Sequence, residues 1–166
     1  MKTNLIIKKL VTIVEFRTCA SVIRKSFLTV AKDLNLSKKN APTNPAFITY
    51  EKLKEEINKK NIIYFGLYPE KETLAGCVAI ERADNDIYYM ERLAVLPEYR
   101  HKGFGVQLID FVVKYVKSHG GKKISIGIIN ENDILKKWYI KQGFHEINTS
   151  RFDHLPFTVC FLEKIF

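Results

Sequence analysis

The sequence has no long apolar run and few residues that could cross-link the chain or bind a metal. None of its hydrophobic stretches approaches the ~18 residues that a membrane-spanning helix needs, so we expect a soluble protein with no membrane partner. Its three cysteines, Cys19, Cys77 and Cys160, are far apart and odd in number, which is typical of free, buried thiols in a reducing, cytoplasmic compartment. No His, Cys or Asp residues cluster with metal-ligand spacing, and we therefore expect no metal.

The first residues, MKTNLIIKKLVTIVEF, start basic but lack the pattern of a secretory signal. Lys8, Lys9 and Glu15 interrupt the apolar run, and no small-residue cleavage site follows. We therefore do not interpret this stretch as a signal peptide. The chain of 166 residues is 46% hydrophobic and 27% charged, which is typical of one globular domain over residues 1–166.

Glycine is missing from the first part of the chain, where Gly66 is the first of eight glycines. Because glycine most readily forms tight turns, we expect that part to be mostly helical. Apolar residues recur every three or four positions over about residues 15–34, which predicts an amphipathic helix. A strand at about residues 5–11 precedes it, and a second helix is expected at about 49–60, after a loop that contains two prolines.

Beyond residue 61 the pattern changes to alternating strands and helices. The predicted strands and helices are, in chain order, strands Ile62–Leu67, Leu74–Arg82 and Ile87–Val95, helix Gly103–Ser118, strand Lys123–Ile129, helix Asn132–Gln142, and strands His145–Arg151 and Phe157–Ile165. This order predicts a mixed α/β domain, a sheet of about seven strands with about four helices on its two faces.

The stretch LAVLPEYRHKGFGV, residues 93–106, predicts an anion site where a strand passes through a basic turn into a helix. The first N–H groups of a helix have no intrahelical partner, and the helix dipole places positive charge there. Gly103 and Gly105 let a ligand approach the backbone, while Arg100, His101 and Lys102 add positive side chains. A phosphate or pyrophosphate is the expected ligand, although a glycine-opened helix with incidental basic residues is the plain alternative.

Two common phosphate motifs do not fit this turn. No Lys-Ser or Lys-Thr pair follows the glycines, as the phosphate loop of nucleotide hydrolases requires. The third glycine of the dinucleotide motif would fall at Leu108.

Two segments instead resemble the GNAT superfamily of N-acetyltransferases. The run RHKGFG at residues 100–105 matches the acyl-CoA signature R/Q-x-x-G-x-G/A of that family, and ERLAVLPEY before it resembles the family's fourth strand. The run NDILKKWYIKQGF at residues 132–144 resembles the family ending N-(x)6-Y-x-x-x-G-F. With the matching order of elements, the resemblance extends over nearly the whole chain.

The resemblance implies a mostly antiparallel, splayed sheet that binds acetyl-CoA in the cleft between the fourth and fifth strands. Leu93 and Val95 would offer strand backbone to the pantetheine arm and the acetyl carbonyl. Asn132 and Tyr139 would contact the cofactor from the other side. The pyrophosphate would lie on the turn formed by Arg100, His101, Lys102, Gly103, Phe104, Gly105 and Val106.

The implied reaction is direct attack of an amine on the thioester, and it assigns candidate catalytic residues. Glu91 is the candidate base, because strand alternation places it on one face with Tyr89, Leu93 and Val95. Tyr89 is an alternative residue at this acceptor-binding position, a water is an alternative base, and an ion-paired strand-end glutamate is the plain alternative.

Tyr139 is the candidate acid that returns a proton to the leaving thiolate, since a phenol stays protonated at neutral pH. Its plain alternative is a core tyrosine. Among the histidines, His101 is interpreted as filler in the turn and His154 as a loop residue that could reach the acceptor, whereas His119 and His145 have no motif support.

The basic charge is concentrated at the start of the chain. Residues 1–60 hold 13 Lys and Arg against 5 Asp and Glu, whereas residues 61–166 hold 14 against 13. Because the first helices of GNAT-like folds flank the acceptor, we hypothesise an anionic acceptor; a solvated lysine-rich surface is the alternative. A CoA-binding module without activity remains the second function, and no basic stripe favours nucleic acid. The protein is expected to be a monomer or a homodimer.

Overall fold

The computed structural model describes residues 4–59 and 61–166, so that Met1, Lys2 and Thr3 of the N-terminal stretch and Lys60 of the second predicted helix lie outside the described residues. Within them the chain forms seven strands and four α-helices, close to the predicted bounds. They are β1 (Ile6–Lys9), α1 (Ile13–Asp33), α2 (Tyr50–Lys59), β2 (Ile62–Tyr68), β3 (Gly76–Arg82), β4 (Ile87–Val95), α3 (Phe104–Ser118), β5 (Lys123–Ile129), α4 (Asp133–Lys141), β6 (His145–Arg151) and β7 (Thr158–Ile165).

The seven strands form one sheet in the order β1-β2-β3-β4-β5-β7-β6. Every neighbouring pair is antiparallel except β4 and β5, which run parallel. The mixed α/β fold class and the mostly antiparallel sheet are therefore confirmed. The parallel pair matters for function, because it needs the crossover helix α3 to return the chain to the same end of the sheet.

Helices cover both faces of the sheet, as the buried strands require. On the α1 face, α1 and α2 pack on β2 and β3 through residues such as Ile23, Leu53 and Tyr64. On the α3 face, helix α3 packs through Leu108 and Val112 against the same strands and against β5. Side chains along each strand alternate between these two cores. A strand residue that belongs to one core therefore shows which face of the sheet it points to.

The first helix begins at a capping box. Thr12 Oγ1 accepts a hydrogen bond from the Glu15 N–H at 3.1 Å, and Glu15 Oε2 accepts from the Thr12 N–H at 3.0 Å. The N–H groups of Val11 and Thr12, with Lys8 nearby, lower the pKa of Glu15 from its usual 4.5 to about 2. This cap gives a glycine-free region a defined helix start. Within the described residues, no helix is long and apolar enough to cross a membrane.

Candidate active site

The sheet opens between its two parallel strands. Strands β4 and β5 pair only from Ile87 to Tyr89, opposite Lys123 to Ser125. Beyond Tyr89 no further β4–β5 pair forms within the described residues. A bound extended chain could pair with the facing edges there. A cavity of about 1300 Å³ fills this opening and extends to α1, α3 and α4.

Nearly all the residues predicted from the sequence as site residues line this one cavity. They are Tyr89, Glu91, Leu93, Val95, Arg100, His101, Gly103, Phe104, Gly105, Val106, Asn132 and Tyr139. Lys102 is not among the lining residues; its Nζ lies 5.2 Å from the ring centre of Tyr99. Residues that are up to 50 positions apart in sequence therefore meet around one space.

The turn before α3 has the geometry of an anion site. The first hydrogen bond of the helix runs from the Gln107 N–H to the Gly103 carbonyl at 3.1 Å. No acceptor among the described residues takes a hydrogen bond from the N–H groups of residues 101–106. His101 and Gly103 both have left-handed backbone, with φ of 62° and 81°, and this winding brings successive N–H groups to the helix start.

The second glycine of the turn is needed for close packing. A Cβ built on Gly105 would lie 3.0 Å from Cζ2 of Trp138. The start of α3 therefore lies directly against the indole on α4, which brings the anion site next to the helix that carries Tyr139. At Gly103 the space is open, and the positive φ is what favours glycine there.

Arg100 donates three hydrogen bonds to protein groups, which corrects part of the sequence interpretation. Its Nη2 donates to the Ser26 carbonyl at 2.7 Å, its Nη1 to Thr29 Oγ1 at 3.1 Å, and its Nε to the Val95 carbonyl at 3.2 Å. We expected its guanidinium to add charge to the open turn, but it fastens the turn to α1 and to the end of β4. The local sequence could not show this, because the partners on α1 are some 70 positions away.

A β-bulge in β4 corrects a second expectation. Ala79 pairs with Glu91 and Cys77 with Ala94, so β4 holds one residue more than β3 over this stretch. Arg92 occupies the bulge with φ of 53°. The extra residue reverses the alternation.

Glu91 and Leu93 therefore lie on opposite faces of β4, against the prediction that they share one. Met90 is in the α3-face core, and Leu93 and Val95 pack against that same core. Glu91, next to Met90 and opposite Ala79 of the other core, lies on the α1 face with Tyr89. The prediction of a shared face is wrong because it assumed an unbroken strand.

Tyr139 lies inside the protein and lines the cavity. It is 6% exposed, and its ring packs edge-on against Trp138 and Phe144 at centroid distances of 5.0 and 5.5 Å. No hydrogen-bond partner for its hydroxyl is found among the described residues. Burial raises the pKa of Tyr139 well above the usual 10 of a phenol, so the hydroxyl remains a proton donor over the whole physiological pH range.

Asn132 has a structural role as well as a place on the cavity wall. Its Oδ1 accepts a hydrogen bond from the Leu135 N–H at 3.3 Å and caps α4. The same residue lines the cavity. The asparagine therefore fixes where α4 begins, and with it the position of Tyr139.

The α1 face of β5 and β7 forms an open floor beside Glu91. Ile126, Ile128, Cys160 and Leu162 point to the α3-face core; by alternation their neighbours point the other way. We call that set the acceptor floor: Ser125, Gly127, Ile129, Val159, Phe161 and Glu163, all of which line the cavity. Gly127 is exposed, with Phe161 as its register partner on β7.

Among the described side chains of the first 60 residues, no lysine or arginine lines the cavity. The α1 residues on its wall are Ser26, Phe27, Thr29, Val30 and Asp33, of which only Asp33 is charged. Lys8 pairs with Glu15, and Arg24 donates to the Ile48 carbonyl. On the acceptor floor Glu163 is paired with Lys123 at 2.9 Å. The hypothesis of an anionic acceptor, which depended on those first 60 residues, therefore has no support from the cavity wall.

The remaining histidines are not brought to the site. His119 stacks on Tyr115 at 4.0 Å, and neither it nor His145 or His154 lines the cavity. Over residues 4–59 and 61–166 there is no group of three or more His, Cys, Asp or Glu placed to hold a metal ion.

Comparison with known proteins accounts for this arrangement. A model of the acetyltransferase (GNAT) family matches residues 28–144, which include the end of α1, the bulged strand, the glycine turn and the α4 motif. The chain belongs to the GNAT acetyltransferase family. The family match ends at Phe144, so β6 and β7 lie beyond it, and β7 supplies part of the acceptor floor.

Solved structures share the fold of this GNAT chain over almost its whole length. PaiA N-acetyltransferase from Thermoplasma acidophilum, in complex with coenzyme A, is 22% identical with a TM-score of 0.81, covering 98% of this chain and 99% of that one. A GNAT acetyltransferase from Elizabethkingia anophelis with acetyl-CoA bound is 15% identical, with a TM-score of 0.66 and 99% and 100% coverage. The ribosomal-protein-S18-alanine N-acetyltransferase from Escherichia coli is 13% identical, with a TM-score of 0.73 and 97% and 93% coverage.

Proposed function

We propose that this GNAT protein transfers the acetyl group of acetyl-CoA to a primary amine in a ternary complex. One observation carries the proposal: the α3 anion site, the open edges of β4 and β5, and Tyr139 all meet in one cavity. A polyanionic head, an amide-bearing arm and a thioester are the three parts of acetyl-CoA, in the order in which the cavity offers partners for them.

The cofactor would be bound by backbone more than by side chains. The N–H groups of residues 101–106 would hold the pyrophosphate, and the free edge of β4 at Leu93 and Val95 would bond the pantetheine amides. The Val95 carbonyl already accepts from Arg100, so the open edge at Leu93 is the stronger candidate. Arg100 would act by fastening the turn, and Lys102 by its charge at the rim.

Tyr139 would complete the reaction as general acid. The amine nitrogen attacks the thioester carbonyl, the C–S bond breaks, and the Tyr139 hydroxyl gives its proton to the departing sulfur. The products are an amide and free coenzyme A. Its place on the cavity wall supports this role, and its raised pKa keeps the phenol protonated at neutral pH until the thiolate leaves.

Glu91 would act on the acceptor amine. It faces the acceptor floor and lies one residue before the bulge. A lysine-like amine with a pKa near 10.4 must lose a proton at a cost of about 4.6 kcal/mol at pH 7, which a carboxylate can accept directly or through water. Tyr89, on the same face, is the alternative. We place the acceptor on the floor around Gly127 and Phe161.

We also propose that the protein is cytoplasmic, which its three buried free cysteines support.

The test combines binding with turnover. Acetyl-CoA at 100 times its dissociation constant should stabilise the protein by about 2.7 kcal/mol, and thiol release should follow addition of some member of an amine panel. Tyr139→Phe should lower kcat by roughly 10²-fold or more while binding and melting temperature stay near those of the parent, because the hydroxyl has no partner among the described residues.

The second candidate, a CoA-binding module without activity, is favoured by one outcome only. That outcome is a thermal shift with acetyl-CoA but no thiol release with small amines, peptides or protein N-termini. No shift at millimolar acetyl-CoA would contradict both functions. A kcat unchanged in Tyr139→Phe would remove Tyr139 as the acid.

A further inference from the structure

The bulge in β4 depends on a residue that is poorly suited to it. Arg92 has φ of 53°, in the left-handed region that favours glycine. The same bulge reverses the strand alternation and turns Leu93 toward the α3 face. Such a conformation persists only where the surroundings hold it in place.

The carboxylate of Glu56 on α2 holds Arg92 in this conformation. Arg92 Nη2 donates to Glu56 Oε1 at 2.7 Å and to Glu56 Oε2 at 2.9 Å, with side-chain exposures of only 14% and 13%. The Tyr64 hydroxyl donates to the same carboxylate at 3.4 Å. Among the described residues, Arg92 Nε is buried without a partner, so Glu56 is the group that fixes the guanidinium.

We infer that Glu56 is a positioning residue for acetyl transfer: through Arg92 it holds the bulge that presents the backbone at Leu93 to the acetyl group. The inference rests on the proposed function. Among the described side chains, none from α2 lines the cavity, so we infer that α2 acts on the site through this pair. A buried ion pair is weak evidence that the pair stabilises the fold. Holding the backbone of Arg92 in one direction is a role that two apolar side chains could not fill.

Two substitutions break the ion pair from its two sides. Glu56→Gln keeps the size of the side chain and removes its charge. Arg92→Ala removes the guanidinium and keeps a residue that disfavours the left-handed backbone. We expect each to lower kcat by about 10- to 100-fold, the effect of misplacing reacting groups by about 1 Å, with a much smaller change in KM for acetyl-CoA. The double variant should lose little more than either single one, because both act through one pair.

A variant on the same helix controls for lost packing. Leu53 is fully buried on α2 and is not part of the ion pair, so Leu53→Ala should lower the melting temperature but leave kcat unchanged at temperatures well below it. Equal losses of kcat in Leu53→Ala and Glu56→Gln at matched stability would overturn the inference. If Glu56→Gln does not fold, Arg92→Lys tests the same pair, with the same expected loss of kcat.

A second readout does not need an acceptor. Hydrogen exchange measured by mass spectrometry on a peptide covering residues 90–96 should be faster in Glu56→Gln than in the parent, with acetyl-CoA bound, and unchanged in Leu53→Ala. Unchanged exchange in Glu56→Gln would overturn the inference even where turnover is detected. Faster exchange in a protein that acetylates no amine would support the bulge contact and contradict the proposed function instead.

Discussion

Arg100 offers the sharpest test of how the cofactor turn works. The structure has its guanidinium bonded to the Ser26 carbonyl, Thr29 Oγ1 and the Val95 carbonyl. The perturbation is Arg100→Met, which keeps a long side chain and removes every donor. If Arg100 mainly fastens the turn, the substitution should act first on stability and only through it on acetyl-CoA binding.

The magnitude follows from those contacts. A hydrogen bond from a charged donor contributes about 1.5–3 kcal/mol, and we count only two of the three in full because Arg100 is half-buried. The expected loss is then about 3 kcal/mol at the lower end of that range. For a chain of this size about 2–4 °C of melting temperature is lost per kcal/mol, so the melting temperature should fall by about 6–12 °C.

The assay is thermal unfolding with and without acetyl-CoA, and Lys102→Met is the matched control. Both variants remove one positive charge from the same turn, but the contact of Lys102 Nζ among the described residues is with the ring of Tyr99. Lys102→Met should weaken acetyl-CoA binding slightly at low salt and leave the apo melting temperature unchanged. An unchanged apo melting temperature in Arg100→Met, together with a loss of acetyl-CoA affinity, would refute the reasoning and show that the guanidinium meets the cofactor directly.

Three further predictions test other parts of the structure. Gly103→Ala should lower the free energy of unfolding by about 1–2 kcal/mol, because φ of 81° is unfavourable for alanine. It should also raise the dissociation constant of CoA. The control Gly120→Ala, at φ of 79° away from the cavity, should lower stability but leave the affinity for CoA unchanged. Thr12→Ala should lower stability by about 1 kcal/mol in urea unfolding at pH 7. Since folding lowers the pKa of Glu15, the stabilising contribution of this carboxylate is complete above pH 4.5 and is lost toward pH 2. Glu15→Gln should flatten that part of the pH–stability curve. Equal curves for Glu15→Gln and the parent would contradict the capping box. Gly127→Leu should raise KM for the acceptor with little change for acetyl-CoA, and a rise for acetyl-CoA alone would move the acceptor off the floor.

Most of the fold could be predicted from local patterns. The strands Ile87–Val95, Lys123–Ile129 and His145–Arg151 have the predicted bounds, and the helices differ by a residue or two at their ends. Residue periodicity, glycines at helix ends and the absence of glycine from the first 65 positions are all local signals, so one chain suffices to detect them. Nearly every site residue predicted from the two motifs and the strand before them lines the cavity, whereas the α1 wall and the acceptor floor were not predicted.

The rest depends on contacts between distant segments. The left-handed backbone of Arg92 leaves no signal in the sequence, since an arginine in a strand of alternating pattern predicts an unbroken strand. Its consequence, opposite faces for Glu91 and Leu93, is therefore visible only in the register with β3.

The sequence by itself determined the order of elements, the glycine turn that opens α3 and the tyrosine on α4, because each is encoded within one turn or one strand. Only the tertiary structure decided what the charged groups do. Arg100 bonds to α1, Arg92 pairs with Glu56, and no lysine among the described side chains of the first 60 residues lines the cavity. The physical reason is that the interaction between charges weakens with distance. Residues far apart in the chain become neighbours only after folding.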